Sequence, residues 1–134
     1  MVAEGVGRGG AGMSAEKSVL VFSFGAKWES MTVDWLFDCR EIENPHRDEE
    51  PQGWNGLHPA VAQRVLSSPK AQEILRDAYR AVVLEEDERD SVSVAFMCSF
   101  GRHRSVAVAE EFTRRLRRDG FSVVVEHLDI GRKE

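Results

Sequence analysis

The stretch from residue 91 to residue 126 constrains the fold more than any other part of the sequence. Residues 91–97 are mostly apolar and rich in β-branched side chains, which is typical of a buried strand. Residues 105–118 repeat apolar side chains at helical spacing, and residues 121–126 form another strand-like run. Strand, helix and strand in about 35 residues make a βαβ unit. The sequence therefore predicts parallel strands joined by a right-handed crossover.

The preceding residues fit the same class of fold. Residues 18–24 and 33–38 are strand-like, and 41–58 is a long loop rich in Pro, Gly and acidic residues. Helices are predicted to begin at His58-Pro59 and Ser68-Pro69, where proline suits the first helical position. We therefore predict an α/β protein: a single-domain, three-layer fold with a mostly parallel sheet and the βαβ unit at its C-terminal end.

Composition narrows the class of protein. Residues 1–16 hold five glycines and little to bury, so we predict a disordered segment there and one domain over 17–134. The formal charge of −5 argues against a general nucleic-acid binder. No apolar run is long enough for a membrane span, and no secretory signal is recognisable. Two cysteines, Cys39 and Cys98, make no disulfide framework, which favours a cytoplasmic location and free thiols.

The turn at residues 98–105 carries the chemistry. It lies at the carboxyl end of a strand and at the amino end of a helix, where N–H groups lack partners and the helix dipole is positive. Arg102 and Arg104 add charge, and Gly101 permits a tight backbone turn. The predicted anion-binding residues of this turn are Ser99, Gly101, Arg102, His103, Arg104 and Ser105. A phosphate or a carboxylate is the ligand that such a turn favours.

The same turn allows a second interpretation. Cys98, Arg104 and Ser105 match the Cys-x5-Arg-Ser loop of protein tyrosine phosphatases, in which the thiolate attacks phosphorus. Met97 stands where those enzymes usually have histidine. The general acid that a phosphatase needs is not singled out by the sequence. The candidates by residue type are Asp38, Asp48 and Asp129.

A longer series of motifs points to a known family. They are Ser23-Phe24-Gly25 with Lys27, Phe37-Asp38-Cys39-Arg40, Asn44-Pro45-His46, Gly56-Leu57, Cys98-Ser99-x-Gly101-x-His103-Arg104-Ser105-Val106 and His127. In this order and spacing, from about Val19 to His127, the chain resembles the RapZ C-terminal domain family of RNase adapters.

The resemblance implies a function and a set of contacts. In that family the domain binds glucosamine 6-phosphate and a small regulatory RNA, and it contacts a ribonuclease and a two-component kinase. Carried over, Ser99, Gly101, His103 and Arg104 contact an anion, Arg40 and His46 face it, and Lys27 completes a positive rim. The strand ends at 24, 38 and 97 independently predict that Lys27, Arg40 and Arg104 share one sheet edge.

The chain also departs from the family pattern. No P-loop sequence occurs, so no ATP site is predicted. Phe100 stands where the family usually has glycine, so its ring narrows the pocket or stacks on a ligand ring. The tail 131–134 is short, and we interpret the cluster of Arg114, Arg115, Arg117 and Arg118 as a solvated helix face. These features argue against RNA binding.

We therefore predict a module that binds a small phosphorylated metabolite, a phosphosugar or a nucleotide-like anion, and acts as a sensor or adapter rather than as an enzyme. A cysteine-dependent phosphatase and an RNA-binding adapter are the alternatives. We expect neither a cofactor nor a metal ion, because no paired ligand spacing is found. A protein partner (a ribonuclease or a regulator) and a homo-oligomer stay open.

Overall fold

The computed structural model describes residues 18–45, 53–84 and 90–132. The predicted disordered segment 1–16, His46 and Asp48 lie outside these residues. The strands are β1 (Ser18–Gly25), β2 (Trp35–Asp38), β3 (Ser91–Cys98) and β4 (Ser122–His127), and the helices are α1 (Pro59–Leu66), α2 (Pro69–Val83) and α3 (Arg104–Arg118). Among the described residues, no helix is long and apolar enough to cross a bilayer.

All four strands run parallel, in the spatial order β2-β3-β1-β4. The strands β3 and β4 that flank α3 are parallel as predicted, but β1 lies between them and pairs with both. In the register of the sheet, Gly25 pairs with Cys98 and Asp38 with Met97. The carboxyl ends of β1, β2 and β3 therefore meet at one edge of the sheet, as the strand pattern predicted.

The core lies between the sheet and α3. Burial alternates along the first half of β1 and of β3, whereas residues 23–25 and 94–96 are all buried, so these parts of the strands are covered on both faces. Phe96 of β3 is fully buried between Phe37, 5.7 Å away between ring centroids, and Phe112 of α3, 5.2 Å away. Helix α3 contacts three strands and also both other helices. The predicted α/β class is confirmed, and this packing is consistent with three layers.

The predicted helix starts are confirmed in detail. His58 precedes α1 and its Nδ1 accepts a hydrogen bond from the N–H of Ala60 at 3.1 Å. Ser68 precedes α2 in the same way, with Oγ accepting from Lys70 at 3.2 Å. Each cap satisfies one of the N–H groups that a helix leaves unpaired at its amino end.

Strand β2 is shorter than the predicted 33–38. Asp34 meets β3 through its side chain, since Oδ2 accepts the N–H of Ser93 at 2.8 Å and the Asp34 N–H donates to Ser93 Oγ at 2.9 Å. These bonds take the place of the backbone ladder there, so regular pairing begins at Trp35. Helix α3 begins one residue earlier than predicted, at Arg104.

Candidate functional site

Three chain segments are joined at the carboxyl edge of the sheet. The N–H of Ala26 donates to the carbonyl of Cys98 at 2.8 Å, and that of Lys27 donates to Ser99 at 3.0 Å. On the other side of β3, the N–H of Cys39 donates to Met97 at 2.7 Å. The residues after β1 therefore lie beside the start of residues 99–103, which we call the α3 loop, and the residue after β2 lies beside the end of β3.

Gly101 gives the α3 loop its shape. Its φ of 78° is in the left-handed region that favours glycine. A Cβ atom at Gly101 would lie 2.6 Å from the Gly25 nitrogen and 2.8 Å from the Phe24 carbonyl carbon. A Cβ at Gly25 would lie 2.4 Å from the carbonyl carbon of Phe100. Two glycines thus let the backbone of β1 touch the backbone of the loop.

The α3 loop leaves several donors unpaired. Within the described residues, the N–H groups of Phe100, Gly101 and Arg102 have no hydrogen-bond acceptor. The side-chain Nε of Arg102 is buried and has no partner there either. Successive unpaired N–H groups beside a helix amino end form the kind of concavity that binds anions. The arrangement can hold an oxyanion with backbone amides and one guanidinium.

Arg104 is held by the protein's own carbonyls. Its Nη1 donates to the carbonyl of Arg40 at 3.0 Å and to that of Ile42 at 3.1 Å. Arg104 is among the predicted anion-binding residues, but one of its amino groups is bonded to the loop after β2. The bonds nevertheless bring Arg40 and Arg104 together at one edge, as predicted.

Arg40 is paired with Asp38. Its Nε donates to Oδ1 at 3.0 Å and its Nη2 donates to Oδ2 at 2.8 Å. The Arg40 N–H also donates to Oδ1 at 2.9 Å, so Asp38 both orients the arginine and satisfies a loop amide. The hydrogen bond from Arg40 lowers the pKa of Asp38. Arg40 therefore reaches the edge with its charge neutralised by a carboxylate.

Cys98 and Ser105 lie beneath the loop rather than in it. Cys98 is 2% exposed and Ser105 is fully buried. The Cys98 thiol donates to Ser105 Oγ at 3.2 Å, and the Ser105 N–H donates to Cys98 Sγ at 3.4 Å. Ser105 was predicted to bind ligand, but both its polar groups face the core. Cys39 is also fully buried, and burial raises the pKa of its thiol.

Aromatic rings hold two cations at the same edge. The Nζ of Lys27 lies 5.0 Å from the Phe100 ring centroid and 5.4 Å from that of Trp28. The Cζ of Arg132 lies 5.0 Å from the Trp28 ring. Lys27 has no carboxylate within salt-bridge distance among the described residues. The sequence analysis did not identify Arg132, because no motif or spacing marks it.

Asp129 links the end of β1 to Arg132 at this edge. It is fully buried, and its Oδ2 accepts the Gly25 N–H at 2.8 Å while Oδ1 accepts Arg132 Nε at 2.7 Å. Burial acts to raise the pKa of Asp129, but the hydrogen bonds from Gly25, Glu29 and Arg132 outweigh it and lower that pKa. The hydrogen bond to Asp129 raises the pKa of Glu29. Asp129 is thus a structural acceptor, although its residue type made it a candidate general acid.

The loop that precedes α1 covers the remaining side. The Gly56 N–H donates to the carbonyl of Arg102 at 2.7 Å, and His103 Nε2 lies 2.9 Å from the carbonyl oxygen of Trp54. His103 therefore lies at the amino end of α3 with its imidazole bonded to this loop. The described residues contain no group of three or more His, Cys, Asp or Glu that could hold a metal ion.

Comparison with known proteins places this edge in a family. The family model of the RapZ C-terminal domain matches residues 17–131. A nucleotide-binding protein of Frankia alni is 39% identical over 120 residues, which are 84% of this chain and 41% of that protein. Nucleotide-binding proteins of Mycolicibacterium smegmatis and Mycobacterium leprae are each 40% identical, over 89% and 92% of this chain and 43% and 44% of their own lengths. The chain thus spans less than half the length of these curated relatives, and it belongs to the RapZ C-terminal domain family.

Proposed function

We propose that this chain binds the phosphate group of a small phosphorylated metabolite in the α3 loop and acts as a sensor or adapter module rather than as an enzyme. The observation that carries the proposal is the row of unpaired N–H groups at Phe100, Gly101 and Arg102, together with the buried Nε of Arg102, which has no partner among the described residues. Successive N–H groups without acceptors at the amino end of a helix favour an oxyanion, which satisfies several of them at once.

Charge at the edge supports the same ligand class. Arg40 is neutralised by Asp38, but Lys27 has no carboxylate partner among the described residues. An unneutralised ammonium beside the loop, in a protein of formal charge −5, focuses the local field on small anions while the remaining surface repels polyanions. The names of the relatives, which call them nucleotide-binding proteins, support a phosphorylated ligand as well.

The phosphatase alternative is less well supported. A nucleophilic thiol must reach the phosphorus atom, whereas Cys98 is 2% exposed and belongs to the buried core. Asp38 is paired with Arg40, and Asp129 is held ionised by its three donors, so neither is placed to protonate a leaving group. We therefore propose binding without turnover.

The RNA alternative depends on the arginines of α3. Arg114 and Arg115 both bond to Glu111, at 2.7 Å and 2.8 Å, and Arg118 lies 3.3 Å from Asp119. The fourth, Arg117, donates to the carbonyl of Val123 at 2.8 Å. These contacts favour the solvated helix face that the sequence indicated over a phosphate-binding stripe. A protein partner, a homo-oligomer and a cytoplasmic location stay predictions.

Calorimetry with Arg102→Met tests the proposal. Arg102 is preferable to Arg104 as the test residue because Arg104 joins the start of α3 to the loop after β2, so its replacement would also disturb the fold. We expect inorganic phosphate and phosphate esters to bind the wild type, and Arg102→Met to weaken them by about 10- to 100-fold, the cost of a charge-assisted hydrogen bond. Arg76→Met, at an exposed position on α2, is the control and should bind as the wild type does. Absence of heat and of thermal stabilisation with every phosphate compound would refute the assignment.

A further inference from the structure

The backbone of Phe100 is held in place by its neighbours. Its carbonyl oxygen accepts the indole N–H of Trp28 at 3.1 Å. Its carbonyl carbon lies against Gly25, where even a Cβ atom would come within 2.4 Å. The side chain is half-buried. Phe100 is thus an aromatic residue, with its backbone held in place, inside the loop that carries the unpaired N–H groups.

The rings of Trp28 and Phe100 differ in the number of cations that lie over them. Trp28 has two, Lys27 and Arg132, whereas Phe100 has only Lys27 among the described residues. No aromatic ring of the described residues stacks on Phe100. Phe100 is thus a half-buried ring with one cation over it and no stacked ring among the described residues, and its π system is the less engaged of the two.

The ring is also at a suitable separation from the phosphate donors. Phe100 and Arg102 are two residues apart, so their Cα atoms are at most about 7 Å apart. A ligand whose phosphate is held by the N–H groups of the loop can place a base joined through a ribose on this ring. Lys27 lies over the same ring and has no carboxylate partner among the described residues.

We infer that Phe100 selects the ligand: the site takes a nucleoside monophosphate, whose phosphate lies in the α3 loop and whose planar base stacks on Phe100. The inference rests on the proposed function and names its substrate class. A planar base gains from stacking on an aromatic side chain, whereas a sugar phosphate without a base has no π face to offer. Base stacking therefore raises affinity by about tenfold over the matching sugar phosphate.

Calorimetry with four ligands tests the inference: AMP, GMP, ribose 5-phosphate and inorganic phosphate. Ribose 5-phosphate is the matched ligand, since it differs from AMP by the base. We expect both nucleotides to bind the wild type about tenfold more tightly than ribose 5-phosphate. Phe100→Leu keeps an apolar side chain but removes the π face, and it should bring all three esters to the same affinity. Lys27→Gln should weaken all four ligands without changing their ratios.

Phe22→Leu, at a half-buried phenylalanine in the middle of β1, is the control and should leave the ratios as in the wild type. If AMP, GMP and ribose 5-phosphate bind the wild type equally, or if Phe100→Leu leaves the ratio unchanged, the inference is overturned while the phosphate site stands. If none of the four ligands binds, the proposed function fails and the inference falls with it.

Discussion

Gly101 is the residue whose replacement tests the loop geometry most directly. Its φ of 78° disfavours any side chain, and a Cβ would also meet the backbone of Gly25 and Phe24 at less than 3.0 Å. We expect Gly101→Ala to lose about 1–2 kcal/mol from the left-handed backbone alone, and more from displacing β1. The free energy of unfolding in denaturant measures the loss.

A substitution at Gly120 separates the cost of the left-handed backbone from the cost of the close contact with β1. It follows α3 with a φ of 96°, and a Cβ there would meet nothing within 4 Å among the described residues. Gly120→Ala should therefore show the backbone cost without the close contact. Equal losses in the two variants would mean that the β1–loop contact is unimportant.

Glu29 makes stability depend on pH. Its hydrogen bond to Asp129 raises the pKa of Glu29, while Asp129 itself stays ionised because its own pKa is lowered. A raised folded-state pKa contributes stability that is present below the ordinary pKa of glutamate and is lost as the pH rises through the folded-state value. Glu29→Gln donates an amide N–H to Asp129 at every pH.

The Glu29→Gln variant should thus gain on the wild type as the pH rises. The check is the difference in unfolding free energy between the two proteins across about pH 4 to 8, a range that covers the ionisation of a carboxyl with a raised pKa. A difference in unfolding free energy that stays constant across this range would contradict a hydrogen bond from protonated Glu29 to Asp129.

At the scale of elements, Arg104 joins the start of α3 to the loop after β2. Removing its side chain leaves the carbonyls of Arg40 and Ile42 without their donor. We expect Arg104→Met to cost about 1.5–3 kcal/mol, as for hydrogen bonds from a charged group. Arg118→Met, at the exposed other end of α3, should change stability by no more than about 0.5 kcal/mol. Similar losses in both variants would show that the Arg104 bridge is dispensable.

The elements could be predicted because their signals are local. Proline and cap residues mark the starts of α1 and α2, and apolar runs mark β1 and β3. The shared edge of the strand ends followed from the parallel βαβ unit. The bonding of Arg104 to two carbonyls could not be predicted, because it depends on how a loop distant in sequence folds beside α3. The burial of Ser105 likewise follows from tertiary packing and not from its place in the first turn of α3.

At the scale of the whole molecule, the arginines of α3 decide between a small anion and a polyanion. Four guanidinium groups that bind single-stranded RNA phosphates would give a slope of log affinity against log salt of about −3. Since Arg114, Arg115, Arg117 and Arg118 already have partners within the described structure, we expect any RNA binding to show a slope of magnitude about 1 or less. Filter binding at several salt concentrations measures it. A slope near −3 that falls when Arg114 and Arg118 are replaced by glutamine would instead make this helix face an RNA surface.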